Sequence, residues 1–501
     1  MEAKLEELKA RLGEISDLRS TASLVRWDQS TYMPPGGARA HGRQFGTLQR
    51  VAHQKFVDPE IGRLLEGLRS YEESVPYDSD EASLIRVTRR EYDRATRVPA
   101  EFMAEYDSHR SAAYQAWSEA RPADDFSLAQ PYLERTLELS RRYAGYLDPD
   151  YEHIADPLFD EREGMTTSAL REIFDGLRER LVPLLHKISG QPVPDDWFLY
   201  QSFPKAAQLD FGLQVAKRFG YDLERGRQDL SPHPFSTGLS IDDVRITTRV
   251  LENDVRSALF GTMHEAGHAL YTQGISAELE GTPLGHGATS GVHESQSRLW
   301  ENLVGRSQGF WSFFFPRLQT VFADQLASVT LDDFYRAINK VQATPIRTAA
   351  DEVSYNLHCA LRFQLELDLL EGRVAVADLP KVWNERFEAT LGIVPPSDSD
   401  GVLQDMNWFV GRIGGYYQHF TLGNIMKVQF FEAALDEHPE IPSEIEQGEF
   451  GTLLGWLRKN IHQHGAKFTI PELVERVTGT SLSIEPFVGY LQDKYGQLYE
   501  V

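Results

Sequence analysis

The chain has 501 residues, 41% hydrophobic and 25% charged, a balance that supplies a large core and excludes a disordered or fibrous protein. Its 75 acidic against 51 basic side chains give a formal charge of −24, which repels nucleic acid and anionic lipid and removes both as expected partners. One cysteine, Cys359, has no internal disulfide partner and sits in the apolar stretch Leu357 to Leu361, where a buried inert thiol is expected rather than a nucleophile.

The acidic, amphipathic start at Met1 to Leu8 lacks the apolar core of a secretory leader, and no stretch reaches the length of a membrane span, so a cytoplasmic protein is expected. Leu5, Leu8, Leu12, Ile15 and Leu18 repeat at three- and four-residue steps and predict an amphipathic opening helix. Turn-rich breaks follow at Pro34 to Gly37, Asp148 to Asp150 and Pro192 to Asp196. Between them, Leu170, Ile173, Phe174, Leu177, Leu181, Leu184 and Leu185 trace one helical face, with Thr166 and Thr167 as caps. Similar faces recur at Leu133 to Leu147, Leu357 to Leu370 and Leu453 to Ile461, all read as core packing. Strand signal is confined to Asp243 to Val250, where Val244, Ile246, Thr248 and Val250 share a face. Such a strand beside a cleft serves either as a small structural ribbon or as an edge that adds an extended peptide. No break is long or biased enough for a linker, so residues 1–501 are expected to form one large, mainly α domain with a small sheet beside the next helix.

That helix carries His264-Glu265-Ala266-Gly267-His268. Two histidines four residues apart project from one helical face, and their nitrogens can reach one ion at about 2.0–2.1 Å. Glu265 is angled away from coordination and towards a water. Leu259, Phe260, Met263, Ala266, Ala269 and Leu270 bury the helix, and buried histidines beside a buried acid require a reason. A third ligand is needed. Tyr271 and Gly274 stand where a histidine-only extension would need Gly and His, which excludes that class. Glu278, Glu280, His286, His293 and Glu294 follow. The first two lie too near the helix end, whereas the glycine-rich stretch 281–291 permits a sharp return into a second helix at Val292 to Asn302. Glu294 near its start fits a two-His-one-Glu set of the gluzincin type, with His293 as the alternative.

With His233-Pro234-Phe235, Asp243 to Thr247, His293 to Arg298, Ile346 to Asp351 and Gly401 to Trp408, the sequence resembles the carboxypeptidase Taq family of thermostable metallocarboxypeptidases. Weaker similarity extends from Leu24 to Gly496. The resemblance implies a helical fold with a deep groove, C-terminal exopeptidase activity, a homodimer, and Glu294 as the third ligand. Two segments depart from the family pattern: Asn407 stands where the family usually has His, and Gly414 to Phe420 lacks the usual aromatic and proline pattern.

The chemistry expected is metal-assisted peptide hydrolysis with one divalent ion per subunit, zinc first and cobalt or manganese as substitutes. Glu265 takes a proton from water and delivers it to the departing amine. Tyr416, Tyr417 and His419 are candidates for the oxyanion. A terminal carboxylate calls for a guanidinium fork, for which Arg347 is preferred and Arg245 is the alternative. His233 and Gln404 are further candidates for substrate contact, and Asp351 and Glu352 are either carboxylates behind a histidine ligand or helix-surface charges. The rival readings are an oligopeptidase that cuts internally and an inactive peptide-binding scaffold.

Overall fold

The structure is a computed structural model that describes residues 1–159 and 162–501. Among these, helices carry nearly all regular structure, and a single three-stranded sheet supplies the rest. The chain divides into two compact units, each drawn from three separate stretches. The first takes residues Met1–Ala95, Asp195–Ile338 and Met426–Ser481, and the second takes Thr96–Pro194, Asn339–Ile425 and Leu482–Val501. Neither is a continuous segment, which is why no serial linker stands in the sequence.

In the first unit the opening helix, Glu2–Thr31, buries Leu5, Leu8, Leu12 and Ile15 as its periodicity requires, while Leu18 is partly buried. It packs on the helices Ala38–Phe56 and Pro59–Glu72, and the shared core includes Ile61, Leu64, Leu68 and Ile85. In the second unit the helix Thr167–Ser189 begins where Thr166 Oγ1 accepts from the Ala169 amide at 3.3 Å. It packs on Ser354–Glu371, with Phe174 stacked on Phe363 at 4.4 Å between centroids. Cys359 is fully buried there. Asp351 accepts from the amides of Val353 and Ser354 (2.9 Å each) and so caps that helix. Glu352 accepts from Lys494 Nζ (3.0 Å) and from the Tyr490 and Tyr495 hydroxyls (3.1 Å each), which ties down the last helix, Glu485–Tyr499. Both acids thus have structural partners within the second unit.

Three strands form the sheet: β1 (Gly226–Leu230), β2 (Ser236–Ser240) and β3 (Asp243–Thr248). The alternating stretch read from the sequence is β3, which ends at Thr248. The short polar strands β1 and β2 carry too little alternation to be recognised. The order is β1-β3-β2, with β1 parallel and β2 antiparallel to β3. β3 is therefore central and paired on both sides, so it cannot add a peptide strand; only β1 or β2 has a free edge. Val244, Ile246 and Thr248 are buried, and β3 packs on the helix Val255–Gln273, which carries the two motif histidines.

That motif helix starts at Asp254, whose side chain accepts from the Arg256 amide (3.0 Å). A second helix, Ser290–Arg298, returns across it, capped by Thr289 Oγ1 on the Val292 amide (3.1 Å). The crossing is closest at Gly267, where an added Cβ would meet Ser297 Cα at 2.6 Å and the Gln296 carbonyl at 2.9 Å. Both are backbone atoms and cannot move alone. Gly267→Ala is therefore expected to destabilise the chain by about 1–3 kcal/mol in thermal or denaturant melts. Elemental analysis should also show less bound metal, because the displaced helix carries Glu294.

Candidate metal centre

His264 and His268 lie one helical turn apart with ring centroids 4.9 Å apart and planes at 81°. The return helix brings Glu294 Oε1 to 4.0 Å from His264 Nε2 and 3.9 Å from His268 Nε2. All three ligand atoms lie within 4.8 Å of one another. An ion about 2.0–2.2 Å from each donor can bridge donors roughly 4 Å apart, so two imidazoles and a carboxylate at these separations fit a divalent cation. His293, the other candidate, is not in this group. Its ring packs 5.4 Å from that of His268 and 4.7 Å from that of Tyr271.

Behind the ligands lies a carboxylate that the sequence reading did not single out. The return helix passes directly into a π-helical turn, Leu299–Val304, which directs Glu301 back towards the motif helix. Glu301 Oε2 accepts from His264 Nδ1 at 2.9 Å, which leaves the Nε2 lone pair for an ion. Arg298 Nη1 (3.1 Å) and Arg306 Nη2 (3.5 Å) also reach Glu301, and Arg298 Nε donates to Glu294 Oε2 at 3.4 Å. Burial opposes ionisation of Glu301, but Arg298, His264 and Arg306 outweigh it and hold the carboxyl well below its usual range. Burial also pulls on His264, where the bond it donates to Glu301 and the charge of Glu294 prevail and raise it. His268 lacks such a partner, so burial together with His264 and His293 pushes it far down and keeps its imidazole neutral.

Glu265 is buried, with 6% of its surface exposed. Burial is the largest influence on its carboxyl, His264 opposes it, and the negative charges of Glu294 and Glu301 add to it, raising the group to about 7. Two acids in one pocket are thus driven apart. Glu301 is an anion fixed by guanidinium groups, and Glu265 is a carboxyl able to hold or release a proton near neutrality.

The other residues read from the sequence fall into two places. In the first unit Arg245, on β3, forms a bidentate pair with Asp243 (2.8 and 2.7 Å) and lies over the Trp27 ring at 4.4 Å. His233 is exposed beyond β1, and its carbonyl accepts from Ser231 Oγ (2.5 Å). Neither belongs to the metal group.

In the second unit Arg347 is buried between the faces of Tyr417 (5.5 Å) and Phe420 (5.1 Å). Its Nε and Nη2 donate to Asp405 Oδ1 at 3.3 and 3.0 Å, and Nη1 donates to the Tyr355 hydroxyl at 3.1 Å. A guanidinium has five N–H donors, so one remains on each terminal nitrogen. Asp405 is shared with Arg362 Nε at 2.6 Å. Burial opposes its ionisation, yet the two guanidinium groups hold it well below the carboxylate range. Gln404 accepts from the Arg347 amide (2.9 Å) and donates to the carbonyls of Pro345, Asp400 and Gly401, so its carboxamide ties this loop together. Tyr417 is fully buried and its hydroxyl accepts from Asn407 Nδ2 at 3.2 Å, whereas Tyr416 is exposed and packs edge-on to His419 at 5.1 Å.

A family model for carboxypeptidase Taq (M32) metallopeptidases matches residues 7–495. The chain belongs to that family. The thermostable carboxypeptidase 1 of Thermus thermophilus is 42% identical over 508 residues, covering 99% of each chain. Carboxypeptidase 1 of Bacillus subtilis is 35% identical over 492 residues, covering 97% of each. The crystal structure of the M32 carboxypeptidase from Deinococcus radiodurans R1 superposes with a TM-score of 0.96 at 44% identity, over 100% of both chains. The protein is accordingly a metallocarboxypeptidase, a peptide hydrolase that depends on a divalent metal.

Within this metallocarboxypeptidase, the residues missed by sequence reasoning left only a faint trace. Arg298 precedes and Glu301 interrupts the apolar run Leu299, Trp300, Leu303 and Val304, but helical spacing alone did not point them at His264. Glu301→Gln keeps the size of the side chain and removes the anion behind His264. It is expected to weaken metal affinity about 10–100-fold, measured by competition with a chelator.

Glu366 offers a test against pH. It is fully buried and accepts from Trp408 Nε1 at 2.8 Å. Burial is the main cause that raises its carboxyl from the ordinary 4.5 to about 8. The folded chain therefore holds a proton that the unfolded chain releases above about pH 4.5, and stability falls as pH rises from about 4.5 to about 8. Glu366→Gln preserves an acceptor for Trp408 and removes the titration. The thermal midpoint of the variant should drop less between about pH 5 and pH 8 than that of the parent.

Proposed function

We propose that the chain releases C-terminal amino acids from peptides with broad specificity, and that residues 1–501 work as one metallocarboxypeptidase domain. The observation that carries the reading is the convergence of His264 Nε2, His268 Nε2 and Glu294 Oε1 beside the buried carboxyl of Glu265. His264, His268 and Glu294 would hold zinc, and cobalt or manganese suits the same donors. When bound, such an ion supplies Lewis acidity to a peptide carbonyl and lowers the pKa of water towards about 7.

The chain's own groups do the remaining work. Glu265 accepts a proton from the attacking water and returns it to the departing amine, a role suited to a carboxyl poised near neutrality. Glu301 keeps His264 in the tautomer that presents Nε2. Arg347 receives the terminal carboxylate on the N–H groups left by Asp405 and Tyr355, with Asp405 holding the fork in place. Tyr416, with its exposed phenol, is the preferred donor to the oxyanion among Tyr416, Tyr417 and His419. His233 and Arg245 serve substrate contact from the first unit, and Gln404 serves it from the second while accepting from the Arg347 amide. We further propose a cytoplasmic homodimer.

Two measurements test this reading. Glu265→Gln should retain metal by elemental analysis and lose about 10²–10⁴-fold in kcat; turnover close to that of the parent would exclude Glu265 as the base. A peptide with a free carboxylate should yield a ladder shortened from its C-terminus, and the same peptide amidated should resist. Internal fragments that are indifferent to amidation would establish an oligopeptidase. Bound metal with no cleavage of either peptide would establish a scaffold. Arg347→Ala should raise KM for the free acid and narrow the gap between acid and amide.

A further inference from the structure

In the second unit, three helices (Thr167–Ser189, Ser354–Glu371 and Leu379–Leu391) pack on one another and leave an open cavity of about 230 Å³. Its lining includes the stacked rings of Phe174 and Phe363 beside the polar Gln364 and Thr390. Its charged lining residues are Arg171, Arg178, Arg373 and Arg386, with Asp175 as the one acid among them. Four guanidinium groups around one small cavity are unusual in a chain of charge −24.

The arrangement is layered. Asp368 pairs with Arg386 Nη2 and Arg373 Nη2, both at 2.5 Å, and Glu371 pairs with Arg171 and Arg373. These two acids lie underneath, with side chains only 5% and 16% exposed, while Arg373 and Arg178 are 54% and 43% exposed. An approaching molecule therefore meets Arg373 and Arg178 together with Asp175, whose side chain is 60% exposed, and the guanidinium groups are already oriented by carboxylates. Arg178 donates to Asp175 Oδ1 at 3.2 Å and to Gln364 Oε1 at 3.4 Å, which uses two of the five N–H donors of its guanidinium. A preoriented cationic rim over an aromatic floor suits a ligand with an anionic head and an apolar body.

We infer that this cavity binds a small apolar carboxylate, one aromatic ring or short hydrocarbon body bearing a single anionic head. The cavity lining shares no residue with the metal group. It lies against the helix Ser354–Glu371, which also supplies Tyr355 to Arg347 and Arg362 to Asp405. An occupant packed on Phe363 thus touches the helix that braces the proposed carboxylate receptor.

The probe is 4-phenylbutyrate, with the neutral 4-phenylbutan-1-ol as control, titrated by calorimetry into the full metal-loaded chain. Saturable binding of the carboxylate is expected, with the alcohol at least about tenfold weaker. Arg178→Gln, which removes a surface charge, should weaken the carboxylate by a similar factor, and Ala389→Phe, which fills the cavity without changing charge, should do the same. Arg347→Gln should leave this binding intact, which separates it from occupancy of the proposed substrate site. Absence of saturable binding, equal binding of the alcohol, or loss in Arg347→Gln with retention in Arg178→Gln would each overturn the inference.

Discussion

The closest approach of two helices at Gly267 governs the centre. The motif helix offers two imidazoles one turn apart, but a third ligand reaches them only if the return helix lies almost backbone to backbone against it. A methyl group at residue 267 would collide with Ser297 and Gln296. The absence of that methyl lets Glu294 reach within 4.0 Å of both histidines. The same crossing lets the π turn at Leu299–Val304 aim Glu301 at His264. Packing distance, rather than any strong intrinsic preference of the ligands, assembles the site.

Electrostatics then divides the labour among similar side chains. Glu265 and Glu301 are both buried carboxyls on adjoining helices. Glu301 is surrounded by Arg298, Arg306 and His264 and remains ionised, whereas Glu265 has burial and like charges against it and rises to about 7. His264 and His268 separate for the same reason, since only His264 has a carboxylate behind it. Asp405 repeats the principle in the second unit: as one anion shared by two arginines it fixes Arg347, and it can remain charged at depth because both guanidinium groups compensate for lost hydration.

Some elements were legible for physical reasons that are local. The opening helix announces itself because Leu5, Leu8, Leu12 and Ile15 recur at the helical period and have one core to fill. The motif helix does so because its spacing serves one ion and its flanks are apolar. Other features have no local signal. β1 and β2 are short and polar, and they exist because β3 offers both of its edges to them. Gln404 and Arg245 have protein partners, neighbouring carbonyls and Asp243, that residue type alone does not reveal.

The sequence by itself determined the mainly helical class, the helix that carries the two motif histidines and the family, because these depend on residue type at fixed short spacing. It also placed Glu294, through the glycine-rich return that precedes it. Only the tertiary structure decided which carboxylate stands behind His264, which arginine donors remain unengaged, which strand is central, and where an arginine-rimmed cavity opens. Those outcomes depend on contacts between residues far apart in the chain, and they are set by how closely the backbones pack.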